Sequence, residues 1–227
     1  MANKDTNAFT VEPLPHINGH VLRDDLLAGG TKRRALSSLV KNSSDSRFYY
    51  AGTTMGHGAL ALVYACKDAG KQAHIYLCAE KENPVVQKLT SLGAQVVLKP
   101  PMPITALYED MCAQADGYVF PPGFDTADFH AAMVETLKTF DAAPYSEIWT
   151  CAVSGTFAKA MKAAFPDTPV RIVSVVKSTR GDYQAPEKYH QPARHSPPYP
   201  SCPHTDAKIW QFAKQYAQKD ALIWNIA

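Results

Sequence analysis

Lys32 is the side chain with the clearest chemical use. In Gly29-Gly30-Thr31-Lys32-Arg33-Arg34-Ala35-Leu36, paired glycines deliver a lysine to the start of a helical segment. Burial and nearby positive charge lower a lysine's pKa and free the neutral amine that condenses with an aldehyde. Taken by itself, Lys-Arg-Arg at a helix start reads as a solvent-facing turn. A second candidate is Ala51-Gly52-Thr53-Thr54-Met55-Gly56-His57-Gly58-Ala59. It lies between a strand and a helix, where exposed backbone N–H groups and a hydroxyl hold an anion. A third is Val153-Ser154-Gly155-Thr156, which opens a helix after a strand. Its N–H groups, two hydroxyls and helix dipole suit a phosphate, although Ser-Gly-Thr taken alone reads better as a simple N-cap.

Other patterns carry less. Gly52-x-x-x-Gly56-x-Gly58, with Glu80 ending the next strand, is also the nucleotide-binding glycine pattern of short-chain dehydrogenases. That chemistry needs a Tyr-x-x-x-Lys pair, and none of the eleven tyrosines has a lysine four residues on. His190, His195, Cys202 and His204 lack the paired spacing of a structural zinc site, so no metal is expected. Asp24 and Asp25 read as a solvated acidic pair before a loop.

The elements that must position these residues alternate. Short β-branched or aromatic runs predict strands at 48–51, 74–78, 95–98, 148–152, 170–176 and 221–224. Helical patterns fall between them: Ala59, Leu62, Val63, Cys66 and Ala69 share one face, and further helices are expected from Pro84 to Leu92 and over 126–140, 156–165 and 206–218. This is an α/β pattern of crossover units building a parallel sheet with helices on its faces, without internal repeats. Two stretches break it, 99–103 and 178–203, both rich in proline and expected to be irregular. The longer one carries Tyr183, Tyr189, His190, Arg194, His195, Tyr199 and His204, and reads as a lid, a surface for a bulky substrate, or a wrapping loop.

At 227 residues with 46% hydrophobic and 19% charged side chains, the chain is long enough for one large domain or two lobes sharing a core. A formal net charge of +2 falls short of a dedicated nucleic-acid-binding domain. Five widely spaced cysteines suit a reducing compartment. The N-terminus lacks the apolar run of a signal peptide and no stretch is long enough for a membrane span, so a cytoplasmic protein is expected.

Arg-x-Asp followed by Gly-Gly-x-Lys-x-Arg-x-Leu resembles the cofactor-lysine segment of the tryptophan-synthase-β-like enzymes that use pyridoxal 5'-phosphate (PLP), nearest the aminocyclopropane-carboxylate deaminase and D-cysteine desulfhydrase branch. The order of lysine helix, anion turn, two crossover units and hydroxyl-rich loop carries the resemblance from Leu22 to Val176, in a shortened form. It implies a two-lobed PLP fold type II, each lobe a mostly parallel sheet flanked by helices. Residues 45–140 would form the smaller lobe, and 1–44 with 141–227 the larger. Lys32 would hold PLP as a Schiff base, Ser154, Gly155 and Thr156 its phosphate, and Asn225 its pyridine nitrogen. Thr54, Gly56, His57 and Gly58 would hold a substrate carboxylate. Thr31 and His57 depart from the family pattern, which has asparagine, or at the turn asparagine or glutamine, there.

The implied activity is a lyase acting on a small amino acid by β-elimination or deamination, in a homodimer. Two alternatives stand beside it. One is a decarboxylase or related enzyme whose amino acid is attached to a nucleobase, nucleotide or DNA, as in phage DNA modification. The other is a binding protein that keeps the fold without catalysis.

Overall fold

The computed structural model describes residues 6–227; residues 1–5, part of the stretch read for a leader, lie outside it. The chain opens with β1 (Val11–Leu14) and β2 (Gly19–Arg23), paired antiparallel. The sequence pattern does not announce them, because Pro13 and Pro15 interrupt short apolar runs. After α1 (Thr31–Asn42), the expected alternation follows: β3 (Arg47–Gly52), α2 (Gly58–Asp68), β4 (Gln72–Cys78), α3 (Pro84–Ser91) and β5 (Gln95–Lys99). Then come α4 (Ile104–Cys112), β6 (Tyr118–Phe120), α5 (Ala127–Leu137), β7 (Ile148–Ala152), α6 (Thr156–Ala164), β8 (Val170–Ser174) and β9 (Tyr183–Gln184). A 3-10 turn (Asp206–Ile209), α7 (Trp210–Tyr216) and β10 (Leu222–Asn225) complete it.

The strands form two sheets. The smaller runs β5-β4-β3-β6, all parallel; the larger runs β1-β2-β10-β7-β8-β9, parallel except for β1. Alternation along the strands assigns side chains to faces. Phe48 and Tyr50 of β3, with Leu222 and Trp224 of β10, enter one core shared by both sheets. Tyr49 and Ala51 turn the other way to meet Leu107 and Met111 of α4, while Trp149 and Ile223 meet Ile209 and Trp210. Covering both faces is what lets parallel strands read as near-continuous apolar runs.

The proline run after β5 is irregular up to Pro103, as expected, and Pro103 takes the N-cap position of α4. α4 and β6, over 104–120, are additional to the elements read from sequence. Two expectations need adjusting. The stretch 178–203 is irregular apart from β9, a two-residue addition to the edge of β8. The last helix is divided into the 3-10 turn and α7 rather than running from 206 to 218. Among the described residues, no helix is long and apolar enough to cross a membrane, and all five cysteines are free.

Candidate active site

The start of α1 is fixed from three sides. Gly29 and Gly30 have φ of 91° and 68°, which L-residues with side chains rarely adopt. A Cβ on Gly30 would lie 2.4 Å from the Ile226 carbonyl oxygen, the same oxygen that accepts from Thr31 N at 3.0 Å. Asp24 sits beneath, with no exposed surface. It accepts from Thr31 Oγ1 at 2.6 Å, Trp224 Nε1 at 3.2 Å and the Arg34 guanidinium. Asp24 is therefore a buried hub and not a solvated acid, and Arg33 and Arg34 are buried rather than solvent-facing. The sequence reading of this segment as surface misses that both guanidinium groups have carboxylate partners, Asp68 and Asp24.

Lys32 emerges from this frame into a cavity of about 400 Å³ between the two sheets. The side chain is partly exposed to that cavity, and its amine forms no hydrogen bond with the described residues. Desolvation lowers its pKa, opposed by the nearby Cys151 and Asp206. His57, on the same wall, is also pushed down, by burial and by Lys32. Facing them is Asp206, whose carboxyl is pushed up to about 6 by burial. Hydrogen bonds from Thr205 Oγ1 at 2.8 Å, Ile226 N at 3.2 Å and Cys151 Sγ at 3.4 Å moderate that rise. Burial and the Asp206 charge raise the Cys151 thiol, so it stays a protonated donor.

Two helix N-termini open onto the same cavity. α2 begins behind Gly56 and His57, and α6 behind Ser154 and Gly155, all four of which line it. Neither N-cap residue, His57 or Gly155, places a side chain on the first N–H groups, and at α6 only Thr156 N is engaged, by Ser154 Oγ at 3.5 Å. Each end thus carries free donors and a partial positive charge, a ready place for an anion. Close approaches build the walls. A Cβ on Gly58 would fall 2.6 Å from Tyr50 Oη, and Tyr50 in turn stacks on Phe124 with ring centroids 4.4 Å apart. A Cβ on Gly123, which has φ 75°, would fall 2.5 Å from Ser154 Cβ, so the loop after β6 rests directly on the loop before α6.

No protein-family model matches the chain, and no curated protein matches it in sequence. Solved structures do. An ACC deaminase homologue superposes with a TM-score of 0.77 at 13% identity, covering 96% of this chain and 89% of that one. An O-acetylserine sulfhydrylase (isoform 3) from Entamoeba histolytica gives a TM-score of 0.72 at 16% identity, over 99% and 88%. A pyridoxal 5'-phosphate-dependent aspartate racemase gives 0.61 at 14%, over 97% and 75%. The chain has the PLP fold type II.

Within this type II fold the residues singled out from sequence divide. Lys32, Gly56, His57, Gly58, Ser154 and Gly155 line one cavity; Thr54, Thr156 and Asn225 do not. β3 ends at Gly52, so the first side chain past the strand edge, Thr53, reaches the wall in place of Thr54. Thr156 points inward, buried, with its hydroxyl 3.2 Å from Ser154 Oγ. Asn225 is fully buried and lies outside the cavity wall: both Nδ2 hydrogens are taken, by Asp25 Oδ1 at 2.7 Å and the Pro200 carbonyl at 2.8 Å, and Oδ1 accepts from Ser201 at 2.6 Å. The type II cavity instead presents Asp206, together with Thr53, Cys151 and Tyr189, none of which the sequence reading named as site residues. Thr205-Asp206 before an apolar run looks like a helix cap, and only the insertion of β10 between β2 and β7 carries the chain back to it.

Proposed function

We propose that this chain is a PLP-dependent lyase acting on an amino acid, with Lys32 as the lysine that holds the cofactor. One observation carries the reading. An unpaired, desolvated lysine amine shares a cavity with two uncapped helix N-termini and a buried carboxyl. PLP and an amino acid together bring one aldehyde, one basic ring nitrogen and two anionic groups, and the cavity offers a partner for each. When bound, PLP supplies the aldehyde and a ring that draws electrons from the amino acid's α-carbon.

The chain's own residues divide the remaining work. Ser154, Gly155 and the first N–H groups of α6 would hold the phosphate. Asp206, in place of Asn225, would face the ring nitrogen. A carboxylate there would keep that nitrogen protonated and strengthen the ring as an electron sink. Thr53, Gly56, His57 and the first N–H groups of α2 would seat the substrate carboxylate. Lys32, shifted toward its neutral form, is the base for the α-proton at Nζ. His57, shifted the same way, adds no competing positive charge. A homodimer belongs to the same proposal, and sedimentation measures it.

The test is to add PLP to the purified chain and supply small amino acids carrying a leaving group on the β-carbon. Release of ammonia and a keto acid, lost in Lys32→Ala, supports the lyase. A protein that takes up PLP but converts neither these nor nucleotide-linked amino acids is the binding protein without catalysis.

A second reading keeps the cofactor and changes the substrate. Lys177, Arg180, Lys188 and His190 are all exposed, and they flank Val176, Ser178 and Tyr189 at the cavity wall. Such a rim suits an amino acid attached to a nucleotide or nucleobase. Conversion of nucleotide-linked amino acids that keep their carboxylate, but not of free amino acids, falling steeply with added salt, would favour it.

A further inference from the structure

Tyr189 stands in the cavity although it comes from the proline-rich stretch between β9 and the 3-10 turn. Its phenol oxygen is 3.3 Å from Thr53 Oγ1, and a Cβ on Gly56 would lie 3.2 Å from it. The hydroxyl therefore hangs over the turn that leads into the start of α2, where no N-cap side chain takes the first N–H groups. Burial raises the phenol's pKa, so it is a donor at neutral pH.

Such a stretch would place a side chain loosely unless it were anchored, and here it is. Lys208, with no exposed surface, donates to the Lys188 carbonyl at 3.0 Å, one residue before Tyr189. Glu187, also buried, accepts from Gln211 Nε2 at 3.1 Å and pairs with Arg194 at 3.5 Å. Gln191 Oε1 accepts from Lys188 N at 2.9 Å. Desolvation pushes the Lys208 ammonium down. A buried cation is an expensive way to hold one loop carbonyl, and what the arrangement fixes is the position of Tyr189.

We propose that Tyr189 is a substrate-binding residue whose phenol donates to the carboxylate seated on the turn from Thr53 to Gly58, and that Lys208 is the positioning residue that holds it there. This rests on the reading of that turn as a carboxylate seat. Before substrate arrives, the phenol and the Thr53 hydroxyl occupy each other; a carboxylate takes a bond from both. A carboxamide is uncharged and offers one acceptor oxygen where a carboxylate offers two, leaving its NH2 toward the N–H donors of the turn, so the site selects amino acids with a free carboxylate.

Glycine and glycinamide are the probes, because they differ at that group and glycine carries no leaving group. Each is titrated into PLP-loaded wild type, Tyr189→Phe and Lys208→Met, following the visible absorption of the cofactor. Wild type should bind glycine about tenfold or more tighter than glycinamide. Tyr189→Phe should lose about tenfold for glycine and nothing for glycinamide, with PLP uptake unchanged. Lys208→Met should narrow the same ratio, with its melting temperature recorded alongside. Equal loss for both ligands in Tyr189→Phe, or no loss for glycine, overturns the proposal while leaving the PLP reading intact. A wild type that takes up no PLP removes that reading and this proposal with it.

Discussion

Asp206 shows most clearly how one side chain alters the chemistry. Its carboxyl, pushed up to about 6 by burial, is protonated in both the folded and unfolded chain below about pH 3.8. As pH rises through 6 it ionises in the fold at a desolvated position, so whatever stability the protonated form contributes is lost. In the apo protein, wild type should therefore lose roughly 3 kcal/mol relative to Asp206→Asn between about pH 4 and pH 7. Denaturant titrations at both pH values measure it, and a pH-independent difference would place the carboxyl in a solvated setting. Lys32 could be read from sequence because glycines and a helix start announce it. Asp206 could not, because its partners Cys151 and Ile226 lie far from it in sequence, and no local pattern records a carboxyl meeting a thiol across the large sheet.

At the scale of elements, the start of α1 depends on β10. Gly30→Ala forces a side chain into positive φ and against the Ile226 carbonyl, and should destabilise the chain by at least about 2 kcal/mol. Asp24→Ala leaves the Arg34 guanidinium buried without its carboxylate and should cost about 3–5 kcal/mol. Thermal or chemical unfolding of each variant gives these values; a loss below about 1 kcal/mol in either would show that the helix start is not held from β10 and Asp24. The crossover strands β3, β4, β5, β7, β8 and β10 are legible because their apolar runs are bounded by turn residues. β1, β2 and β6 are not, since each is short and needs a neighbour already in place to pair with. The three residues of β6 form no periodic signal at all; Tyr118 and Phe120 are held by Phe48 from the adjacent strand.

For the molecule as a whole, the two sheets share one core, and the cavity is the place where that core opens. Elements from both ends and the middle of the sequence meet there: Lys32 after β2, the turn after β3, the loop after β7 and Ile226 after β10. A ligand that fills the cavity braces all of them. At a hundredfold excess over its dissociation constant, PLP should stabilise the chain by about 2.7 kcal/mol, raising the melting temperature by roughly 5–10 °C. Gly123→Ala, which drives the loop after β6 into Ser154, should reduce that rise by weakening PLP binding; an undiminished rise would mean that the phosphate is held elsewhere.

The most direct measurement concerns a single nitrogen. The chain is incubated with PLP, reduced with borohydride, digested and mapped by mass spectrometry. The phosphopyridoxyl group should appear on the peptide containing Lys32, with the protein's visible absorption bleached, and Lys32→Ala should carry no such label. A label on another lysine, or a Lys32→Ala protein that is as yellow and as reducible as wild type, would contradict the assignment.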